Sequence, residues 1–368
     1  METISKEDIM AVLKTVKDPD LHKDLVTLNM VREVTVKGRD VFMEIVLTTP
    51  ACPLKDKITE DIRLALRGMI PQIGQIDVKF GSEVRGSRSM SETKRLPGVK
   101  NIIAVGSGKG GVGKSTVAVN LALALQQEGA KAGLLDADIY GPSMPVMCGV
   151  KDGEKPKLAP GNQIVPITRF DMPLMSMGFL IGANDAVVWR GPMLAKMLQQ
   201  FLEQVDWGNL DYLVLDLPPG TGDVQLTLSQ LIPISGAVVV TTPQDVALAD
   251  VTRAIKMFEM TKVPILGLVE NMSGFDCPHC HKISSIFGGG PDKSRYEKLK
   301  IPLLGELPLE TETRLAGDAG VPIVVKDPRS KQAERFRTLA RQIAAALSIQ
   351  NFKSDLELPS LQENTTKH

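Results

Sequence analysis

Residues 108–116 read Gly-Lys-Gly-Gly-Val-Gly-Lys-Ser-Thr, and residue types in that order suit the grip of a phosphate chain. Gly108, Gly113, Lys114 and Ser115 fill the fixed places of the pattern G-x-x-x-x-G-K-S/T. Glycines let a backbone curl until successive N–H groups converge on phosphate oxygens, and a helix beginning there adds its positive end. Lys114 would reach the terminal phosphates and the Ser115 hydroxyl would hold Mg²⁺, while Gly110, Gly111, Val112 and Thr116 complete the cradle. Lys109 is one lysine more than this chemistry needs. It reads as charge meant for a nucleotide on a facing subunit.

Two further segments carry carboxylates at the ends of apolar runs. Leu134-Leu-Asp-Ala-Asp138 puts Asp136 and Asp138 where ligands bind in an open α/β sheet, and Tyr212-Leu-Val-Leu-Asp216 ends in a carboxylate suited to the Mg²⁺ side of a nucleotide site. Leu217-Pro-Pro-Gly-Thr-Gly222 follows as a rigid turn able to sense a γ-phosphate. The remaining chemistry is thiol chemistry. Cys277-Pro-His-Cys280 is a C-x-x-C knuckle without a second pair at suitable spacing, so a four-thiolate site would need a second copy of the chain. On the residues alone, zinc and an iron–sulfur cluster are near even, and a dithiol redox pair is disfavoured by the accompanying phosphate loop. Cys52, in Leu47-Thr-Thr-Pro-Ala-Cys-Pro53, precedes a predicted helix whose N-terminus would lower its pKa; it is a candidate reactive thiol. Cys148 reads as structural.

These residues need elements to hold them. Asn101–Val105 is a short apolar run before the loop, and 116–127 has a helical pattern after it. Strands are predicted at 101–105, 132–136, 211–216, 236–241 and 264–270, alternating with helices as in a mainly parallel sheet. Ala333, Phe336, Leu339, Ala340, Ile343 and Leu347 recur at helical spacing in a last helix. Residues 1–80 read as helix, two strands around Lys37–Asp40, helix, strand; Ser5 and Asp8 could cap the first helix, which would run through Val16. The expected organisation is a small α+β domain over 1–80, a Gly/Ser/Arg/Pro linker over 81–98, a P-loop NTPase domain over 99–350 and a disordered tail over 351–368. Seven of the methionines lie between Met144 and Met197, where packing is the expected use.

The chain has 368 residues, 43 basic against 43 acidic groups and 43% hydrophobic residues, enough for a sizeable core and without a charge bias toward nucleic acid or an anionic membrane. Four cysteines argue against a disulfide framework. With neither a signal pattern nor a membrane-length apolar run, the expectation is a cytoplasmic protein.

Taken together, the lysine-led loop, the Asp-x-Asp at 136–138 and Asp216-Leu-Pro-Pro-Gly220 resemble the deviant Walker A ATPases, which include MinD, the partition ATPases and the nitrogenase iron protein. Within that group, Asp138-Ile-Tyr-Gly-Pro-Ser143, Asp216-Leu-Pro-Pro-Gly-Thr221 and Glu270-Asn-Met-Ser273 with the following knuckle resemble the Mrp/ApbC iron–sulfur cluster carriers, over nearly all of 99–350. Residues 1–80, with Asp18-Pro-Asp20 and Thr49-Pro-Ala-Cys-Pro53, look like the iron–sulfur assembly domain often fused to such carriers. The resemblance implies a slow ATPase and homodimer in which Lys109, Lys114 and Asp138 are catalytic, with Asp138 positioning the attacking water. It implies Mg²⁺ at Ser115, Asp136 and Asp216, and adenine recognition by Asn271, with a weaker likeness of Gly305–Pro308 to the segment flanking the base. A labile 4Fe–4S cluster would sit on Cys277 and Cys280 of two protomers, received from cluster donors and passed to apo client proteins. His281 departs from the glycine usual after the second cysteine. The rival classes are a MinD- or partition-type positioning switch, which would need a basic amphipathic segment, and a zinc-bridged regulatory ATPase.

Overall fold

The computed structural model describes residues 4–86, 96–139, 141–179, 191–280, 282–288 and 294–357. Three sequence expectations touch residues outside these ranges: the His281 departure, the middle of the 81–98 linker and the end of the tail. The chain divides into two compact units, residues 1–85 with 344–368, and residues 86–343.

In the smaller unit, α1 (Lys6–Leu13), β1 (Val31–Lys37), β2 (Asp40–Leu47), α2 (Lys55–Met69) and β3 (Ile76–Ser82) follow in order. Ser5 caps α1 through the Asp8 N–H, and the Asp8 carboxylate returns a bond to the Ser5 N–H. The helix stops three residues short of Val16. Β-branched alternation around Lys37–Asp40 gives the antiparallel β1–β2 hairpin, and β3 adds parallel to β2. Ile58, Ile62 and Leu66 recur every four residues on α2 and turn into a core with Ile9, Leu13, Leu25, Ile45 and Leu47.

The larger unit runs β4 (Val99–Ser107), α3 (Lys114–Gln127), β5 (Ala132–Asp136), α4 (Met144–Met147), β6 (Lys157–Ala159), β7 (Gln163–Val165), β8 (Ile167–Arg169) and β9 (Met172–Ser176). It continues through α5 (Gly191–Gln204), β10 (Leu210–Asp216), α6 (Asp223–Leu231), β11 (Gly236–Thr241), α7 (Asp245–Met260), β12 (Ile265–Asp276) and β13 (Ile283–Ser284). Then come α8 (Ser294–Glu297), β14 (Leu303–Leu309), α9 (Thr311–Asp318), α10 (Ile323–Lys326) and α11 (Lys331–Glu357). Among the described residues the main sheet has nine strands in the order β13-β12-β11-β4-β10-β5-β9-β8, with β14 also on β12. All its pairings are parallel except β12–β13 and β8–β9. Continuous apolar runs such as Leu213–Leu215 and Val238–Val240 are what strands buried on both faces require.

The five predicted strands fall on β4, β5, β10, β11 and β12. The last runs six residues past its predicted end, because β14 stays parallel beside it as far as Phe275 and β13 pairs antiparallel with Phe275 and Asp276. The predicted stripe of the last helix is buried throughout, from Ala333 to Leu347. That helix also corrects the tail. Asn351–Glu357 is helical, because Phe352 packs onto the core of the smaller unit and the Asn351 amide bonds the Arg85 carbonyl. Of the methionines, Met144, Met172, Met175 and Met177 are buried packing residues.

Candidate functional site

β4 sits between β10 and β11, so the loop after Ser107 opens among the carboxyl ends of β10, β5, β11 and β12. In an open parallel sheet this crevice is where ligands bind. Two glycines shape it. Gly113 caps α3 in the left-handed region, with φ +79°, and a Cβ there would lie 2.2 Å from Asn271 Nδ2. At Gly108 a Cβ would lie 2.3 Å from the Asp250 carbonyl of α7, so loop and helix can approach this closely only at glycine.

The charged groups meet at the loop's end. Lys114 Nζ lies 2.7 Å from Asp216 Oδ1 and 3.7 Å from Asp138 Oδ2. Ser115 Oγ donates to Asp216 Oδ2 at 2.6 Å. Lys114, Asp138 and Asp216 are all buried. Burial holds the Asp216 carboxyl above its ordinary range, opposed by Lys114 and Ser115. Asp136, opposite Asp216 in the β5–β10 register, is turned to other partners. Its Oδ1 accepts from the Asp138 N–H at 3.0 Å, and its Oδ2 from the Ser176 hydroxyl at 2.8 Å and the Met144 N–H at 3.4 Å. Burial first, and then the Asp216 charge, raise Asp136 to about 7. Asp136 thus orders the turn that presents Asp138, whose Oδ1 accepts from the Gly141 N–H at 3.3 Å.

Lys109 Nζ donates to Gln244 Oε1 at 3.4 Å, and Thr242 Oγ1 donates to the same oxygen at 2.6 Å. Asn271 Nδ2 donates to the Val112 carbonyl at 2.9 Å, tying β12 to the phosphate loop. Sequence reasoning missed Ser176 and Gln244. Ser176 ends a short strand whose apolar pattern is too brief to read, whereas Gln244 follows the apolar 236–241 run and that position was a usable signal. The loop fits a nucleotide with Mg²⁺: its backbone is curled by Gly113, and Ser115 and Asp216 offer the hard oxygen donors that ion takes.

The cysteine pair lies where β12 and β13 join. Phe275 pairs with Ser284, Asp276 with Ile283, and the Cys277 N–H donates to the Lys282 carbonyl at 3.2 Å. Cys277 is half-buried and Cys280 exposed. The backbone N–H groups of Cys280 and His279 hold the Cys277 thiol below its ordinary range, helped by the Cys280 side chain. Among the described residues no three His, Cys, Asp or Glu side chains gather as a metal site, and the pair gathers no third such side chain.

Cys52 differs from its expectation. It stands ahead of Leu54, the cap of α2, and burial raises its thiol, outweighing the Leu54 N–H that would lower it. Asp18 and Asp20 face it and oppose the thiolate further; the Asp18 carboxylate accepts from the Asp20 and Leu21 N–H groups. Cys148 is buried and its thiol is pushed up to about 12, in keeping with a packing role.

Fold and site define a P-loop NTPase with a separate α+β unit. Residues 98–344 match the family model described as the NUBPL iron-transfer P-loop NTPase, and residues 6–79 match that of the iron-sulfur cluster assembly protein. The chain belongs to this family of iron-transfer P-loop NTPases. It is 47% identical over 349 residues to the iron-sulfur cluster carrier protein of Synechocystis sp., covering 94% of this chain and 99% of that one. The iron-sulfur cluster transfer protein NUBPL of Dictyostelium discoideum is 46% identical over 84% of this chain and 95% of its own. A solved nucleotide-binding protein from Archaeoglobus fulgidus, in complex with ADP, superposes with a TM-score of 0.57 at 39% identity, covering 66% of this chain and 95% of that one. No helix among the described residues is long and apolar enough to cross a membrane.

Proposed function

We propose that the chain is an ATP-dependent iron–sulfur cluster carrier that works as a homodimer in the cytoplasm. Two protomers hold a labile 4Fe–4S cluster between their Cys277 and Cys280 thiolates, take it from a donor and release it to apo client proteins. The observation that carries this reading is the continuity of β12. One strand supplies Asn271, bonded to the phosphate loop, and ends at Asp276, next to the first cysteine. Four free cysteines, with only a half-site per chain, fit a reducing compartment and a shared ligand set.

At the nucleotide, the N–H groups of residues 108–116 would cradle the phosphates. Lys114 would turn from Asp216 to the terminal phosphates, leaving Asp216 and Ser115 to Mg²⁺, with Asp136 behind them. The ion, when bound, supplies charge neutralisation at the phosphate oxygens. Asp138, held by the Asp136 turn, would orient the attacking water. Lys109 would leave Gln244 and meet the nucleotide of the partner, and Asn271 stands at the loop edge for the base. Catalysis here is positioning and charge neutralisation, with hydrolysis acting as a slow reset of the dimer. Cys52, kept as a thiol chiefly by its burial, would serve as a reactive group only when that burial is relieved.

Anaerobic reconstitution with iron and sulfide tests the reading. The wild type should gain broad visible charge-transfer absorption and about four irons per dimer, as a four-thiolate cluster requires. Cys277→Ala and Cys280→Ala should not. Equal absorption in the variants, or none in the wild type, sinks the carrier role, and zinc in place of iron in the purified protein moves the site to the zinc-bridged class.

A further inference from the structure

Cys277 and Cys280 lie between two chain positions that meet: Glu270 within β12, and Arg295–Tyr296 in α8. Glu270 is 1% exposed and stands in the ladder between Thr241 of β11 and Glu306 of β14. Arg295 Nη2 donates to Glu270 Oε2 at 2.6 Å, and the Tyr296 hydroxyl donates to the same oxygen. The other terminal nitrogen, Nη1, donates to the Pro243 carbonyl at 2.8 Å, and the guanidinium lies 4.9 Å over the Tyr296 ring. Pro243 immediately precedes Gln244, the acceptor of Lys109. Asn271, immediately after Glu270, holds the Val112 carbonyl of the phosphate loop.

One planar cation therefore joins two chain segments that each touch the nucleotide loop, at the base of the segment bearing the cysteines. A guanidinium can do this because its donors form a rigid fork; an ammonium is a point charge and cannot hold both acceptors in that plane. A buried carboxylate such as Glu270 also ties its partners firmly, since leaving it unpaired in the interior is costly.

We propose that Arg295 is a positioning residue that couples the state of the nucleotide loop to the cysteine pair. When Lys109 leaves Gln244, the 242–244 segment is freed to shift, and Arg295 carries that shift to Glu270 and along β12 to Cys277. The proposal rests on the reading of the loop and the cysteine pair given above, but its test needs no iron. A failed reconstitution would therefore sink the carrier role without bearing on this result.

The full-length chain, reduced and metal-free, is alkylated in ADP and in a non-hydrolysable ATP analogue, and modification of Cys277 and Cys280 is followed by mass spectrometry. With both nucleotides confirmed bound, the wild-type rates should differ by about fivefold or more, the usual scale of coupling between sites. Arg295→Lys should bring that ratio to about one while the KM for ATP stays within about threefold, because coupling and binding are separate free energies. Tyr296→Phe, which leaves both Arg295 bonds in place, should keep the ratio. If Arg295→Lys does not fold, Arg295→Gln, which can reach Glu270 or Pro243 but not both, is read in the same way. A wild-type ratio of one, or a folded Arg295 variant with the wild-type ratio, overturns the proposal.

Discussion

Asp136 and Asp216 face each other across two adjacent strand ends, and the buried cation beside them, Lys114, is bonded to Asp216. The consequence falls on Asp136. In the folded chain it keeps its proton up to about pH 7, whereas an unfolded carboxyl releases it near 3.8. Between those values the folded state binds the extra proton, so this residue's contribution to stability falls as pH rises through the window. Asp136→Asn keeps an acceptor for the Asp138 N–H and removes the titration. In the nucleotide-free chain, the melting temperature of Asp136→Asn relative to wild type should therefore climb from pH 4 to pH 8. A difference that stays flat over that range would show that Asp136 is ionised throughout. At this scale the sequence was informative where chemistry is local. Lys114 and Ser115 were legible because a phosphate loop fixes their spacing, and Asp216 because it ends an apolar run; the structure brings the three together. The Asp136 partner Ser176 lies 40 positions away, and no local pattern announces such a pairing. The Cys52 thiol runs opposite to the expected lowering for a related reason: a helix start is visible in sequence, but the burial that outweighs it is not.

At the scale of elements, a side-chain bond from Asn271 to the Val112 carbonyl ties β12 to the phosphate loop, and Gly113 leaves just enough room for it. Gly113→Ala would place a methyl where Asn271 Nδ2 now stands and would hold alanine at a left-handed φ of +79°. Left-handed backbone costs an L-residue about 1–2 kcal/mol, so ATP affinity should drop about tenfold or more while the circular dichroism spectrum is retained. Wild-type affinity in Gly113→Ala, measured by titration calorimetry, would mean that loop and strand are not held against each other. The central strands were readable because burial on both faces makes them long apolar runs. Strands β6 to β9 were not, since three of them have three residues each and their pairing depends on remote partners. Strand β12 was readable only to residue 270, where its pairing with β11 ends and its apolar run gives way to the polar segment that leads to the cysteines, while β14 alone carries the parallel ladder on to Phe275.

At the scale of the molecule, two units of unequal size share the last helix by residue membership, with Ala344 onward belonging to the smaller one. A domain of about eighty residues buries a small core, and each large side chain added to it matters. Phe352 is such an addition: it packs against the cluster containing Ile9, Leu25 and Ile62, and Lys23 Nζ lies 5.1 Å from its ring centroid. Sequence reading cut the helix at 350 because the polar residues beyond it lack a full apolar stripe; one phenylalanine is enough once a separate core receives it. Phe352→Ala should destabilise the smaller unit by about 2 kcal/mol, less than the 3–5 kcal/mol of a fully buried phenylalanine because this ring is partly exposed. The measurement has to be chosen with care. Every tryptophan and tyrosine of the chain lies between residues 140 and 296, so intrinsic fluorescence reports only on the larger unit. Amide hydrogen exchange resolved along the sequence reads both. Faster exchange in β1–β3 and α2 of Phe352→Ala is the expected result, and unchanged protection there would show that the Phe352 ring contributes nothing to the stability of the assembly-type unit.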